Sequence, residues 1–103
     1  MKLKALAIAS FAAAAVTLTA PVSAQELKIA LIAGKTGALE AYAKETELGF
    51  MMGLEYLTKG SMMINGRKVK VIVKDDQSKP DLAKAALAEA YGDDKVDIAV
   101  GTT

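Results

Sequence analysis

Three short apolar runs, each closed by a turn and separated by two segments of helical period, constrain this chain more than any other feature. Leu27 to Ala33 is apolar almost throughout and stops at Gly34, the length and punctuation of a buried strand. From about Tyr42 to Thr58 the pattern becomes helical. Leu48, Met51, Met52, Leu54 and Leu57 form an apolar stripe beside charged positions. Lys59-Gly60 closes that segment, with Gly60 expected as the left-handed cap. Asn65-Gly66 is a strong tight-turn signal, because both residues tolerate positive φ. Lys68 to Lys74 then alternates and becomes β-branched, as a strand does. Ser78-Lys79-Pro80-Asp81 reads as a capping box with proline in the first helical turn. Leu82 to Tyr91 is alanine-rich and helical, ending at Gly92, and Val96 to Gly101 is a third strand.

The order strand, helix, strand, helix, strand predicts an α/β fold with a parallel sheet and right-handed crossovers. The expected spatial order is 2-1-3, with the first strand central. Ligands in such sheets sit beyond the carboxyl ends of the strands, where the winding reverses. Three loops are therefore expected at one rim: residues 34–42, 75–79 and 101 onward.

Residues 1–24 have a different character. Lys2 and Lys4 make a basic start, an apolar stretch follows to Leu18, and Val22-Ser23-Ala24 offers the small residues a signal peptidase reads. The uninterrupted apolar part, Ala5 to Ala20, is shorter than the ~20 residues a membrane span needs. A secretory signal cleaved after Ala24 is the expectation, which places the protein in the periplasm. No cysteine lies near the cut, so a lipid anchor is not expected. The remaining residues 25–103 carry eleven basic and twelve acidic side chains, a balance that gives no support to nucleic-acid binding. Without cysteine, stability must come from a packed core, and 79 residues make only a small one.

Several motifs dissolve on inspection. Gly34-Lys35-Thr36 resembles the end of a phosphate-binding loop, but the required upstream glycine is replaced by Ile29. No dinucleotide fingerprint occurs. Gly49 and Gly53 are expected to let the first helix pack close to the strands. The Met51-Met52 and Met62-Met63 pairs have no histidine or cysteine beside them, so they suggest core filling rather than a metal site. Asp75-Asp76 and Asp93-Asp94 read as solvated loop ends, since sequence neighbours seldom point the same way. The chain contains no histidine, so the usual catalytic triads are unsupported and neither enzyme activity nor a cofactor is expected. Tyr42 is the one aromatic residue near the rim. Spacing leaves open whether it lines a ligand or caps the helix.

Taken together, Ile29-Ala30-Leu31-Ile32, Thr36-Gly37, Tyr42, Gly49, the run Ile64 to Val69, the run Lys74 to Pro80 and the run Val96 to Thr103 resemble the Leu/Ile/Val-binding receptors of ABC importers. The resemblance covers essentially all of residues 25–103. It implies a two-lobed type I periplasmic binding fold, of which this chain is part of the N-terminal lobe. Ligand, an amino acid or an aromatic or aliphatic carboxylate, would bind in the cleft between lobes and be delivered to ABC permease subunits in the inner membrane. On the same grounds Thr102 and Thr103 match the start of the segment that holds the ligand's carboxylate and amino group. Tyr42 matches an aromatic lining the cleft. Thr36 in the first loop and Gln77 in the second rank after them. An exported sensing domain of the same fold, coupled to a signalling partner, is the alternative.

Overall fold

The computed structural model describes residues 25–102; the expected leader and Thr103 lie outside the described residues. The elements are β1 (Leu27–Ala33), α1 (Glu40–Thr58), β2 (Met63–Ile64), β3 (Arg67–Asp75), α2 (Pro80–Gly92) and β4 (Ile98–Val100). They form one sheet in the order β2-β3-β1-β4. β1 runs parallel to β3 over seven residue pairs and parallel to β4 over three. The first strand is therefore central, as the sequence predicts. β2 is an addition: it pairs antiparallel with β3 across Asn65-Gly66, whose φ values of 50° and 75° suit a two-residue hairpin turn.

The helices lie on opposite faces because the crossovers reverse direction. From β1 the chain passes through α1 to β3 on one side, then through α2 back to β4 on the other. Crossovers of one hand then place their helices on different faces. The alternation of strand side chains shows the result. Ile29 and Val69 pack with Leu54 of α1, alongside Phe50 and Val71. Ala30 packs with Ala90 of α2 and Val96, alongside Ile72 and Ala99. β1 is buried on both faces, which explains its continuous apolar run.

Four local expectations are corrected. α1 starts at Glu40, earlier than its apolar stripe, so Tyr42 lies within the first turn; the capping position is Leu39, and no side chain caps it. At the other end the left-handed cap is Lys59, with φ 53°, and Gly60 follows it at φ 78°. The Gly60 N–H bonds the Glu55 carbonyl and the Lys59 N–H the Tyr56 carbonyl, the paired bonds of a Schellman closure. Position follows from where the apolar contacts release the helix: the Thr58 hydroxyl donates to the Leu54 carbonyl at 2.7 Å and accepts the Met62 N–H at 3.1 Å, so the chain must turn directly after Thr58. Gly49 and Gly53 do not serve close packing among the described residues, because an added Cβ at either meets nothing within 4 Å. The capping box also fails: α2 is capped at Lys79 with no side-chain bond, since Ser78 is engaged elsewhere.

β4 is shorter than the expected run from Val96 to Gly101. Val96 is buried, but its N–H turns back to the Ala90 carbonyl at the end of α2. Asp97 joins the base of the sheet, where its carboxylate accepts the Lys28 N–H at 2.9 Å and pairs with Arg67 at 3.2 Å. Asp94, expected in solvent, instead pairs with Lys74 at 2.6 Å and ties the end of α2 to β3.

Candidate functional site

The carboxyl ends of β1, β3 and β4 carry the three rim loops. The first two are locked together by short polar side chains. The Thr36 hydroxyl donates to Asp75 Oδ2 at 2.7 Å, and the N–H groups of Thr36 and Gln77 donate to Oδ1 at 3.2 and 2.8 Å. Ser78 works in the opposite direction: its Oγ accepts the Leu39 N–H at 3.0 Å and donates to the Thr36 carbonyl at 3.3 Å. Its own N–H is held by Asp76 Oδ1 at 2.8 Å. Asp76 is buried, and its N–H in turn bonds the Ala33 carbonyl at the end of β1. The expectation of a solvated carboxylate pair therefore holds only for Asp75. The two aspartates diverge: the Asp75 carboxylate meets Thr36 on the first loop, and that of Asp76 turns to the Ser78 N–H on its own loop.

Two glycines make this approach possible. A Cβ at Gly34 would stand 2.5 Å from Ser78 Oγ, and one at Gly37 would stand 2.6 Å from the Gln77 carbonyl oxygen. Gly37 also has φ +91°, which a side chain rarely adopts. On the facing loop Gln77 and Ser78 both take left-handed φ, 53° and 58°. This tight reversal aims the Gln77 carbonyl at Gly37. The third loop is placed similarly: a Cβ at Gly101 would collide with the Ile32 carbonyl.

The three loops meet at a concavity of about 310 Å³ lined by Leu39, Asp76, Ser78, Lys79, Pro80, Ala83 and Thr102. Of the residues singled out from sequence, Thr102 lines it directly. Thr36 and Gln77 lie beside it and hold the loops. Tyr42 is 63% exposed on the first turn of α1 and does not line it. Sequence reasoning missed Ser78 and Asp76 at this place. The signal for Ser78 was present but was read as a helix cap; no local pattern announces a bond to a loop some forty residues away.

Hydrogen bonds fix the charge at the rim. The Thr36 hydroxyl first, and then the Gln77 N–H, hold the Asp75 carboxyl below the usual carboxylate range. A carboxyl lowered on folding contributes stability above its unfolded pKa, and this is lost as pH falls through the folded value. In the full-length protein, Asp75→Asn is therefore expected to lower the melting temperature at neutral pH. The gap from the parent should close as the buffer is acidified below about 4, the ordinary aspartate range. Melting curves at pH 7 and pH 3 check this; a gap of constant size would show that the charge is not what couples the loops.

This arrangement defines a class: an open α/β domain whose central parallel strands gather three loops around a concavity at their carboxyl rim, the place where sheets of this kind take ligands. The sequence profile of the periplasmic binding proteins matches residues 26–103. A solved ABC-type branched-chain amino acid transporter protein from Rhodopseudomonas palustris is 74% identical, with a TM-score of 0.75 over 76% of this chain and 21% of that one. A solute-binding protein from Rhodopseudomonas palustris BisB5, solved with 3,4-dihydroxybenzoic acid, is 29% identical, with a TM-score of 0.63 over 73% of this chain and 20% of that one. LivJ from Streptococcus pneumoniae, solved with isoleucine, shares the fold at 24% identity, with a TM-score of 0.67 over 74% of this chain and 22% of that one. No curated protein matches. The chain belongs to the periplasmic binding protein family. It spans about a fifth of the length of the solved relatives.

Proposed function

We propose that this chain forms part of the first lobe of an extracytoplasmic receptor that binds an amino acid or a related small carboxylate and delivers it to an ABC permease. The observation that carries the reading is the meeting of all three rim loops at one concavity, with Thr102 on its wall. Hydroxyl and backbone N–H groups are the donors a carboxylate needs when it leaves water. Thr102 and Thr103 are the proposed ligand contacts after β4, and Tyr42 the proposed aromatic wall once a second lobe closes over the rim. Thr36 and Gln77 take a positioning role, holding the first two loops in register. The solved relatives are transport receptors, and no catalytic role is proposed. Cleavage after Ala24 and release into the periplasm belong to the same proposal.

Calorimetry on the full-length receptor tests it, with branched-chain amino acids and hydroxylated benzoates titrated side by side. One class should bind with a single site. Thr102→Ala should weaken it about 10- to 100-fold, the loss expected when one hydrogen bond to a charged group, about 1.5–3 kcal/mol, is removed. Undiminished affinity in that variant would remove Thr102 from the site, and binding of neither class would refute the ligand chemistry.

A further inference from the structure

At the opposite end of the sheet from the rim, Gln25 is anchored before β1 begins. Arg67 Nε donates to the Gln25 carbonyl at 3.1 Å, and Arg67 Nη2 donates to the Glu26 carbonyl at 2.9 Å. The same guanidinium pairs with Asp97, so the start of the chain is fastened to the base of β3 and β4. Gln25 and Glu26 share a shallow concavity there with Lys28, Lys95 and Asp97.

Cleavage after Ala24 makes Gln25 the first residue, and its free α-amine then lies one side chain away from its own carboxamide. We propose that Gln25 is a modification site, closing to N-terminal pyroglutamate in the mature protein. The α-nitrogen attacks the side-chain Cδ, the N–Cδ bond forms, and the Cδ–Nε2 bond breaks. The departing nitrogen leaves as ammonia, taking up the proton that the amine gives up. No oxidant or co-reactant is required.

The surroundings permit the step. The nucleophile is the neutral amine, and an α-amino group ordinarily titrates near 8, so part of it is neutral at physiological pH. The cations at this end are Lys28, Lys95 and Arg67. Of the anions, Glu26 is exposed, and Asp97 is already engaged by the Lys28 N–H and by Arg67. The rest of the amine carries the ammonium charge. Ring closure removes that charge, as other terminal modifications do. It leaves the Gln25 carbonyl, the atom Arg67 holds, unaltered. Gln25 is exposed, so the ring meets no packed neighbour.

This inference rests on the proposed cut after Ala24, and one experiment separates the two. The full-length receptor is taken fresh from a periplasmic extract, and the mass of its N-terminal peptide is measured. The expected peptide begins at position 25, is lighter than the glutamine form by one ammonia, and resists aminopeptidase until a pyroglutamate-removing peptidase is added. Gln25→Ala should give a free, digestible terminus. Its ligand affinity should be unchanged, because β1 separates this end from the rim by about 20 Å at the usual rise per strand residue. A peptide beginning at position 25 with its glutamine intact after prolonged incubation at neutral pH would overturn the cyclisation and leave the cut standing. A peptide beginning elsewhere would overturn the cut, and the proposal with it.

Discussion

Residues 25–103 produced alone are expected to aggregate or to melt without a cooperative transition. The core offers little. Its largest fully buried side chain is Leu31, and on the α2 side it is built mainly from alanines. Against this stand large apolar side chains in solvent. Ile98 and Val100 of β4 are 49% and 38% exposed, and Leu82, Leu87 and Tyr91 of α2 are also exposed. On α1, Leu48, Met52, Tyr56 and Leu57 are open as well. Exposed apolar side chains in this number, on both faces of the sheet, mark surfaces made for covering. Among the described residues β4 pairs with β1 alone, which leaves its other edge free to template strands from further copies. A domain this small buries only about 60% of its unfolded surface, so it has little margin to offset these losses. Light scattering and a thermal melt decide the matter. A monomer with a sharp transition would refute the expectation and show that the two-layered core suffices.

The second large effect is expected at Gly37. In the full-length protein, Gly37→Ala should cost about 2–4 kcal/mol. A side chain at φ +91° carries about 1–2 kcal/mol of backbone strain. The new Cβ would also stand 2.6 Å from the Gln77 carbonyl, which is backbone and cannot swing aside. One of the two loops must then move, and Thr36, Asp75 and Ser78 lose their common register. Stability and ligand affinity should fall together. Gly66→Ala is the matched control. Gly66 has φ +75°, but an added Cβ meets nothing within 4 Å, so only the strain should register. Denaturant melts of both variants separate the two contributions. Equal losses at Gly37 and Gly66 would mean that the loops are not interlocked.

Much of the fold was legible because it rests on local pattern. β1 was found to the residue, since an apolar run closed by glycine reports burial on both faces. The central place of the first strand followed from the alternation of strands and helices, which short right-handed connections restrict to few topologies. Helix ends were less legible. Lys59 takes the left-handed position beside Gly60, and Leu39 stands before α1 without a capping side chain. In both places tertiary contacts outweigh intrinsic preference.

The sequence by itself determined the three parallel strands, the two helices, their order, and which loops share a rim. Only the tertiary structure decided what the polar residues at that rim do. Ser78 has the spacing of a helix cap, yet it bonds Leu39 and Thr36. Asp76 looks like a solvated loop end, yet it is buried beneath Ser78. The reason is range. Hydrophobic period is set by neighbours within a turn or a strand, so the sequence displays it. A hydroxyl or carboxylate takes whichever partner lies about 3 Å away, and here parallel pairing brings that partner from some forty residues along the chain.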